Sequence, residues 1–150
     1  MRLFAIVLAL LLLNVSLQAQ STEDSVKAAV NFLFEAMKNA DAAKLEAAFA
    51  DSAVLQTIAS PKDGSIVIRN ESVKEFAVSI GKLQKGAADE RIQFETIKID
   101  GPLASVWTPY KFYFNGQFSH CGVDSYQLVR IKGQWKIQYL IDTRRKQGCK

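Results

Sequence analysis

Residues 103–143 read LASVWTPYKFYFNGQFSHCGVDSYQLVRIKGQWKIQYLIDT. Apolar and aromatic side chains recur at every second position, the period of a strand whose two faces alternate. Two glycine turns divide the run, Asn115–Gly116 and Lys132–Gly133. Asn-Gly is the strongest two-residue hairpin signal, because both residues accept the positive φ of a type I′ turn. Just upstream, RIQFETIKI (residues 91–99) has the same period and is closed by Asp100, Gly101 and Pro102. The stretch from Arg91 to Thr143 is therefore expected to be a meander of four long strands.

Before Arg91 the period is 3.6. Val26, Ala29, Val30, Leu33, Phe34 and Met37 fall on one helical face, with Ser21 or Thr22 as cap and Glu23 and Asp24 in the favourable first turn. Asp41 opens a short second helix, AAKLEAAF, with Leu45, Ala48 and Phe49 on one side. AVLQTI (53–58), the turn SPKDGS and SIVIR (65–69) read as a hairpin. Ser72 and Glu75 form a capping box for a third helix whose face is Val73, Phe76, Ala77 and Ile80, with Gly86 as its stop. Three helices followed by a strongly bent antiparallel sheet wrapped over them make an α+β domain.

The first nineteen residues, MRLFAIVLALLLLNVSLQA, carry one charge at Arg2, an apolar run from Leu3 to Leu13 and a small residue at Ala19, the layout of a signal peptide cleaved near Ala19. The apolar run falls short of the roughly 20 residues a membrane span needs. Export to the periplasm or outside the cell is expected, with a single domain over residues 20–150. Loss of Arg2 lowers the formal charge from +4 to +3. Part of that surplus sits in the tail RRKQGCK (144–150), not in a groove-sized stripe, which argues against nucleic acid as a partner. The two cysteines, Cys121 and Cys149, are expected to pair in an oxidising compartment, closing a loop for which chain entropy gives roughly 3–4 kcal/mol.

The order of elements, together with FADSAVL (49–55), GSIVIRNESVKEF (64–76) and YQLVRIKGQWKIQYLIDT (126–143), resembles the nuclear transport factor 2-like superfamily, the cone-shaped α+β fold of ketosteroid isomerases and SnoaL-type cyclases. The likeness covers residues 20–150 almost end to end and is nearest to small exported members without an assigned activity. It implies a pocket between helices and sheet, and a homodimer formed through the outer sheet face. Isomerase machinery does not carry over. The residue eight places after Phe49, where the resemblance asks for an aspartate base, is Thr57, and the first helix has no tyrosine for an oxyanion.

With both turns as two-residue loops, Trp107 and Ile141 pair with Asp124, Tyr139 with Tyr126, and Tyr110 with Cys121. One face then collects Trp107, His120, Asp124, Tyr126, Leu128, Trp135, Ile137, Tyr139 and Ile141. The other collects Tyr110, Phe112, Phe114, Cys121, Val123, Val129, Leu140 and Asp142. His120 and Cys121 point to opposite faces, which argues against a nucleophile/base pair, and no cysteine spacing suits a metal. His120 and Asp124 share a face about 13 Å apart in a flat strand, unless a bulge at Gly122 brings them together.

Asp124 and His120 are the acid/base candidates, and Trp107, Asp124, Tyr126, Tyr139 and Phe76 the candidate pocket for a small apolar or aromatic molecule. No cofactor is implied. Asp142, Arg144 and Arg145 read as a solvated polar end, and Asn70 satisfies the glycosylation pattern. Three readings follow. A binding domain needs an open cavity without a second convergent titratable group; an acid/base enzyme (dehydratase, cyclase or isomerase type) needs Asp124 or His120 exposed to an internal cavity; an interaction domain needs an interior packed solid by Trp107, Tyr126, Tyr139 and Phe76.

Overall fold

A computed structural model describes residues 21–59 and 64–149. The expected signal peptide, residues 1–19, and most of the turn SPKDGS lie outside the described residues. Helix α1 (Thr22–Lys38) starts at Ser21, whose hydroxyl accepts the Asp24 N–H at 3.0 Å, and buries Val26, Val30, Leu33, Phe34 and Met37. Helix α2 (Ala42–Ala48) is capped by Asp41 through the Lys44 N–H. Helix α3 (Val73–Gly81) is capped by Ser72 through the Glu75 N–H and buries Ala77 and Ile80. Gly86 does not end α3, which stops five residues earlier at Gly81. At φ 85° it instead donates its N–H to the Lys38 carbonyl at the end of α1.

Seven strands form one curled sheet: β1 (Phe49–Ala59), β2 (Val67–Glu71), β3 (Ala88–Ile92), β4 (Thr96–Asp100), β5 (Leu103–Phe114), β6 (Gln117–Ile131) and β7 (Gln134–Arg145). The order is β2-β1-β7-β6-β5-β3, with β4 also on β5. Every pairing is antiparallel except β1 with β7, so the sheet is mixed. RIQFETIKI is two strands and not one. Pro109, opposite the break, has no N–H to donate, and the chain crosses it with the Gln93 and Glu95 N–H groups bonded to the Pro109 and Trp107 carbonyls.

Both hairpin turns form where expected, and beyond each the register slips by one residue. In β6 the extra residue is Ser119: Phe114 faces Gln117, but Phe112 faces His120 and Thr108, not Trp107, faces Asp124. In β7 it is Gln138: Trp135 faces Arg130 and Ile137 faces Leu128, after which Leu140 faces Tyr126 and Asp142 faces Asp124. A one-residue slip sends every later side chain to the opposite face. Thr108, Tyr110 and Phe112 on β5, and Leu140 and Asp142 on β7, therefore turn to the helices, while Trp107, Tyr139 and Ile141 do not.

The core lies between this inner face and the helices. Ala104, Val106, Tyr126, Leu128, Ile137 and Leu140 meet Val26, Val30, Leu33, Leu45 and Ala77, all buried. The Trp135 indole donates to Ser25 Oγ at 3.1 Å and ties β7 to the start of α1. Cys121 and Cys149 are joined, with their Cα atoms 5.8 Å apart, so the C-terminal tail is fastened to β6.

Candidate functional site

A cavity of about 130 Å³ opens between the helices and the inner sheet face. Its apolar wall is Leu33, Phe34 and Met37 of α1, Phe76 and Ile80 of α3, and Leu55, Phe112 and Leu140 of the sheet. The opposite wall is polar: Glu90, His120, Asp124, Tyr126 and Asp142 line it, with the more exposed Glu71 and Arg144 towards the mouth.

Asp124 is only 4% exposed, and one oxygen of its carboxyl (Oδ2) accepts both the Tyr126 hydroxyl at 3.0 Å and the Thr108 hydroxyl at 3.3 Å. Burial raises its pKa to about 7. The charge of Asp142 adds to the rise, and hydrogen bonds from Tyr126, Glu90 and Thr108 oppose it. Glu90, on β3, reaches Asp124 by a side-chain hydrogen bond, and burial followed by the charge of Asp124 holds its proton well above the ordinary carboxylate range. The two acids therefore titrate as a pair that keeps a proton near neutral pH.

Asp142 lies across the ladder from Asp124 and is 8% exposed. Its Oδ2 accepts Arg144 Nε at 2.7 Å and the Tyr110 hydroxyl at 3.2 Å, while its Oδ1 is buried with no hydrogen-bond partner. Arg144 Nη2 donates to Thr57 Oγ1 at 3.0 Å, so the position where an isomerase would carry its base holds a hydroxyl that accepts from a guanidinium. The Tyr110 side chain crosses Gly122 to donate to the Thr143 carbonyl at 2.9 Å. A Cβ at Gly122 would fall 1.7 Å from that same carbonyl oxygen, so the crossing requires glycine.

His120 lies against the rings of Tyr110 and Phe112, with its Nδ1 3.0 Å from Ser119 Oγ. Burial, then the positive charge of Arg144, lowers its pKa and keeps it neutral at pH 7.

The structure thus brings Asp124, His120, Tyr126 and Phe76 to one cavity. Trp107 is 45% exposed and Tyr139 donates to Gln56 Oε1 at 2.7 Å; neither lines the cavity, because the bulges at Ser119 and Gln138 turn both away. Asp142 is not part of a solvated end but of the polar wall, for the same reason, whereas Arg144 stays exposed while reaching over the mouth and Arg145 is exposed, as expected. Glu90 was outside the expected strand, which began at Arg91. Alternation carried back through Ile92 and Glu90 to the buried Ala88 is the signal that finds it. The interior is not packed solid, and several titratable groups converge in it. Among the described residues no group of His, Cys, Asp or Glu is arranged to hold a metal ion, and no helix is long and apolar enough to cross a membrane, which says nothing of β-barrels.

Three helices held in a curled sheet around an acid-lined cavity define a nuclear transport factor 2-like protein. Within that class the chain belongs to the family described as "Putative lumazine-binding", whose model matches residues 21–139. Solved structures with the same fold include NTF2-like proteins of unknown function from Shewanella oneidensis MR-1 (TM-score 0.64, 15% identity, 82% of this chain and 99% of that one) and Methylobacillus flagellatus KT (TM-score 0.63, 17% identity, 88% and 96%). A third, from Shewanella baltica OS155, has a TM-score of 0.62 at 16% identity over 81% of this chain and 91% of that one. No curated protein sequence matches the chain.

Proposed function

We propose that this protein is an exported pocket domain that binds one small molecule in the cavity between its helices and sheet. The observation that carries the reading is the open cavity of about 130 Å³, whose lining includes Asp142 with one carboxylate oxygen buried and unpartnered. A cavity near 150 Å³ takes a single aromatic ring. The family description names lumazine, a flat bicycle with a hydrogen-bonding edge. A ligand of that character, apolar on its faces and polar along one edge, suits the Phe34, Phe76 and Phe112 wall opposite the acids. Ligand-detected NMR against a library of ring fragments is expected to give hits that Met37→Phe, which fills the cavity, removes without changing the far-ultraviolet circular dichroism. Hits that persist in Met37→Phe place binding elsewhere and end this reading.

Export is supported by the N-terminal layout and by the disulfide. N-terminal sequencing of the mature chain is expected to begin at Gln20. A homodimer through the outer sheet face is supported by the exposed apolar side chains it carries, Val54, Ile68, Leu103 and Trp107.

A second reading, acid/base catalysis on the bound molecule, is favoured by one observation: Asp124 faces the cavity with a pKa of about 7, hydrogen-bonded to Glu90. Binding is common to both readings. The catalytic one adds a proton transfer, so Asp124→Asn is expected to abolish turnover even at saturating ligand.

A further inference from the structure

The polar wall of the cavity is short of donors and of positive charge. Asp142 Oδ1 is buried in a residue 8% exposed and has no partner, and leaving a buried acceptor unmade carries a full desolvation penalty. The donors around it are directed elsewhere. The Tyr110 hydroxyl bridges Asp142 Oδ2 and the Thr143 carbonyl; Arg144 uses Nε on that same Oδ2 and Nη2 on Thr57; Tyr126 and Thr108 both donate to Asp124 Oδ2.

The charges are as one-sided. Carboxyls from three strands and the end of a fourth line the cavity: Glu71, Glu90, Asp124 and Asp142. Against them stands the single guanidinium of Arg144, and the imidazole of His120 is held neutral by its burial. The Glu90–Asp124 pair keeps a proton near neutral pH and Arg144 offsets Asp142, so the excess of negative charge is modest there and grows as the pair ionises. Carboxyls in this state bind an anion poorly and a cation increasingly well as pH rises.

We infer that the ligand of this cavity is a single apolar ring bearing a planar, N–H-donating cation of the amidinium class, whose nitrogens bond Asp142 Oδ1 and the Asp124 carboxyl. This rests on the pocket-binding reading and names the chemical class of its ligand. The planar fork of such a head matches carboxylate geometry, as arginine does in bidentate pairs. The ring lies against Phe34 and Phe76, and a cavity of this volume holds one ring with its head group.

Binding is coupled to protons. The groups facing Asp124 are Glu90 from β3, Thr108 and Tyr110 from β5, His120 and Tyr126 on its own strand, Asp142 and Arg144 from β7, and Glu71 at the end of β2. A cation favours the ionised acids, so affinity rises with pH as the Glu90–Asp124 pair gives up a proton.

The test is isothermal titration of the full disulfide-bonded chain with three single-ring probes: benzamidine (cation), benzyl alcohol (neutral) and benzoate (anion). Benzamidine is expected to bind at least about tenfold more tightly than benzyl alcohol, with benzoate weakest. Asp142→Asn, which puts an amide donor or a weaker acceptor at the unpaired position, is expected to lower benzamidine affinity about tenfold and leave benzyl alcohol unchanged. Should that variant fail to fold, Asp124→Asn supplies the second readout: the gain in benzamidine affinity between about pH 6 and about pH 8 is lost. Benzyl alcohol or benzoate binding as tightly as benzamidine overturns the cationic class and leaves pocket binding standing. No heat from any of the three at millimolar concentration overturns both.

Discussion

Asp124 is a carboxyl whose proton the fold itself retains. Its pKa rises from 3.8 to about 7, chiefly because it is buried, and that of Glu90 rises beside it. In the unfolded chain both are ordinary acids, so between about pH 4 and pH 7 the folded state binds more protons than the unfolded one. The stability these groups contribute is complete below their unfolded values and is lost as pH rises through the folded value near 7. Asp89, held low by its hydrogen bond to Lys38 and then by Arg91, and His120, held low by burial and then by Arg144, act in the opposite sense. Asp89 does so only below the ordinary carboxylate range and His120 only below about pH 6.5, so both soften the slope at its acid end. The melting temperature is therefore expected to fall by roughly 3–8 °C from about pH 5 to about pH 8, read by calorimetry. Asp124→Asn can still accept from Tyr126 and Thr108 but carries no titrating proton. It is expected to flatten that slope and to equal or exceed the parent above pH 7. A slope unchanged in Asp124→Asn means that the titration belongs to other groups.

Gly122 belongs to the same scale. A methyl group there meets the Thr143 carbonyl oxygen at 1.7 Å and Tyr110 Cε1 at 2.8 Å, the first of which is backbone and cannot step aside. Gly122→Ala is expected to cost about 2–4 kcal/mol, because it must part β6 from β7 or expel the Tyr110 ring. Urea unfolding reads this directly, and a loss under about 0.5 kcal/mol would show that the strands tolerate the change.

At the scale of elements, the disulfide makes a tail into part of the sheet. Cys149 lies four residues beyond the end of β7 and is fastened to Cys121 in the first half of β6, one residue from His120 of the cavity wall. Closing that loop is expected to contribute roughly 3 kcal/mol, so Cys149→Ser should lower the urea midpoint to the value the parent shows in reductant. Added reductant should then have no effect on the variant, and any further drop would mean that a second reducible link exists. The helices, their caps, the hairpin turns and this pairing were all legible, since each depends on residues close together or on a count of two. The bulges were not. Ser119 and Gln138 interrupt alternating runs without a glycine or proline to mark them, yet each reverses the facing of every residue beyond it. Reading straight through them puts Trp107, Tyr139 and Ile141 into the cavity and leaves Thr108, Leu140 and Asp142 out. Asp124 and His120 survived because both lie on β6 beyond its own bulge, in phase with Tyr126.

For the whole molecule, the same parity decides what each side of the sheet offers. The bulges turn Asp142 and Leu140 inward to complete the cavity, and they put Trp107, with Leu103 on its own strand, on the convex outer side at 45% and 46% exposure. Outer-face Val54 and Ile68 near the β1–β2 edge extend this apolar surface across the sheet. A second copy packed against it would bury a surface that a lone domain leaves in water, at about 25 cal/mol for each Å² of apolar area removed. Sedimentation equilibrium is expected to give twice the chain mass at micromolar concentration. Trp107→Arg, which places a charge on that face and lines no part of the cavity, should shift the equilibrium to monomer while leaving ring binding intact. A parent that sediments as a monomer removes the dimer, and a Trp107→Arg chain that stays dimeric moves the contact to another face. Loss of ring binding along with the dimer would show instead that the cavity and the outer face depend on one another through β5 and β6.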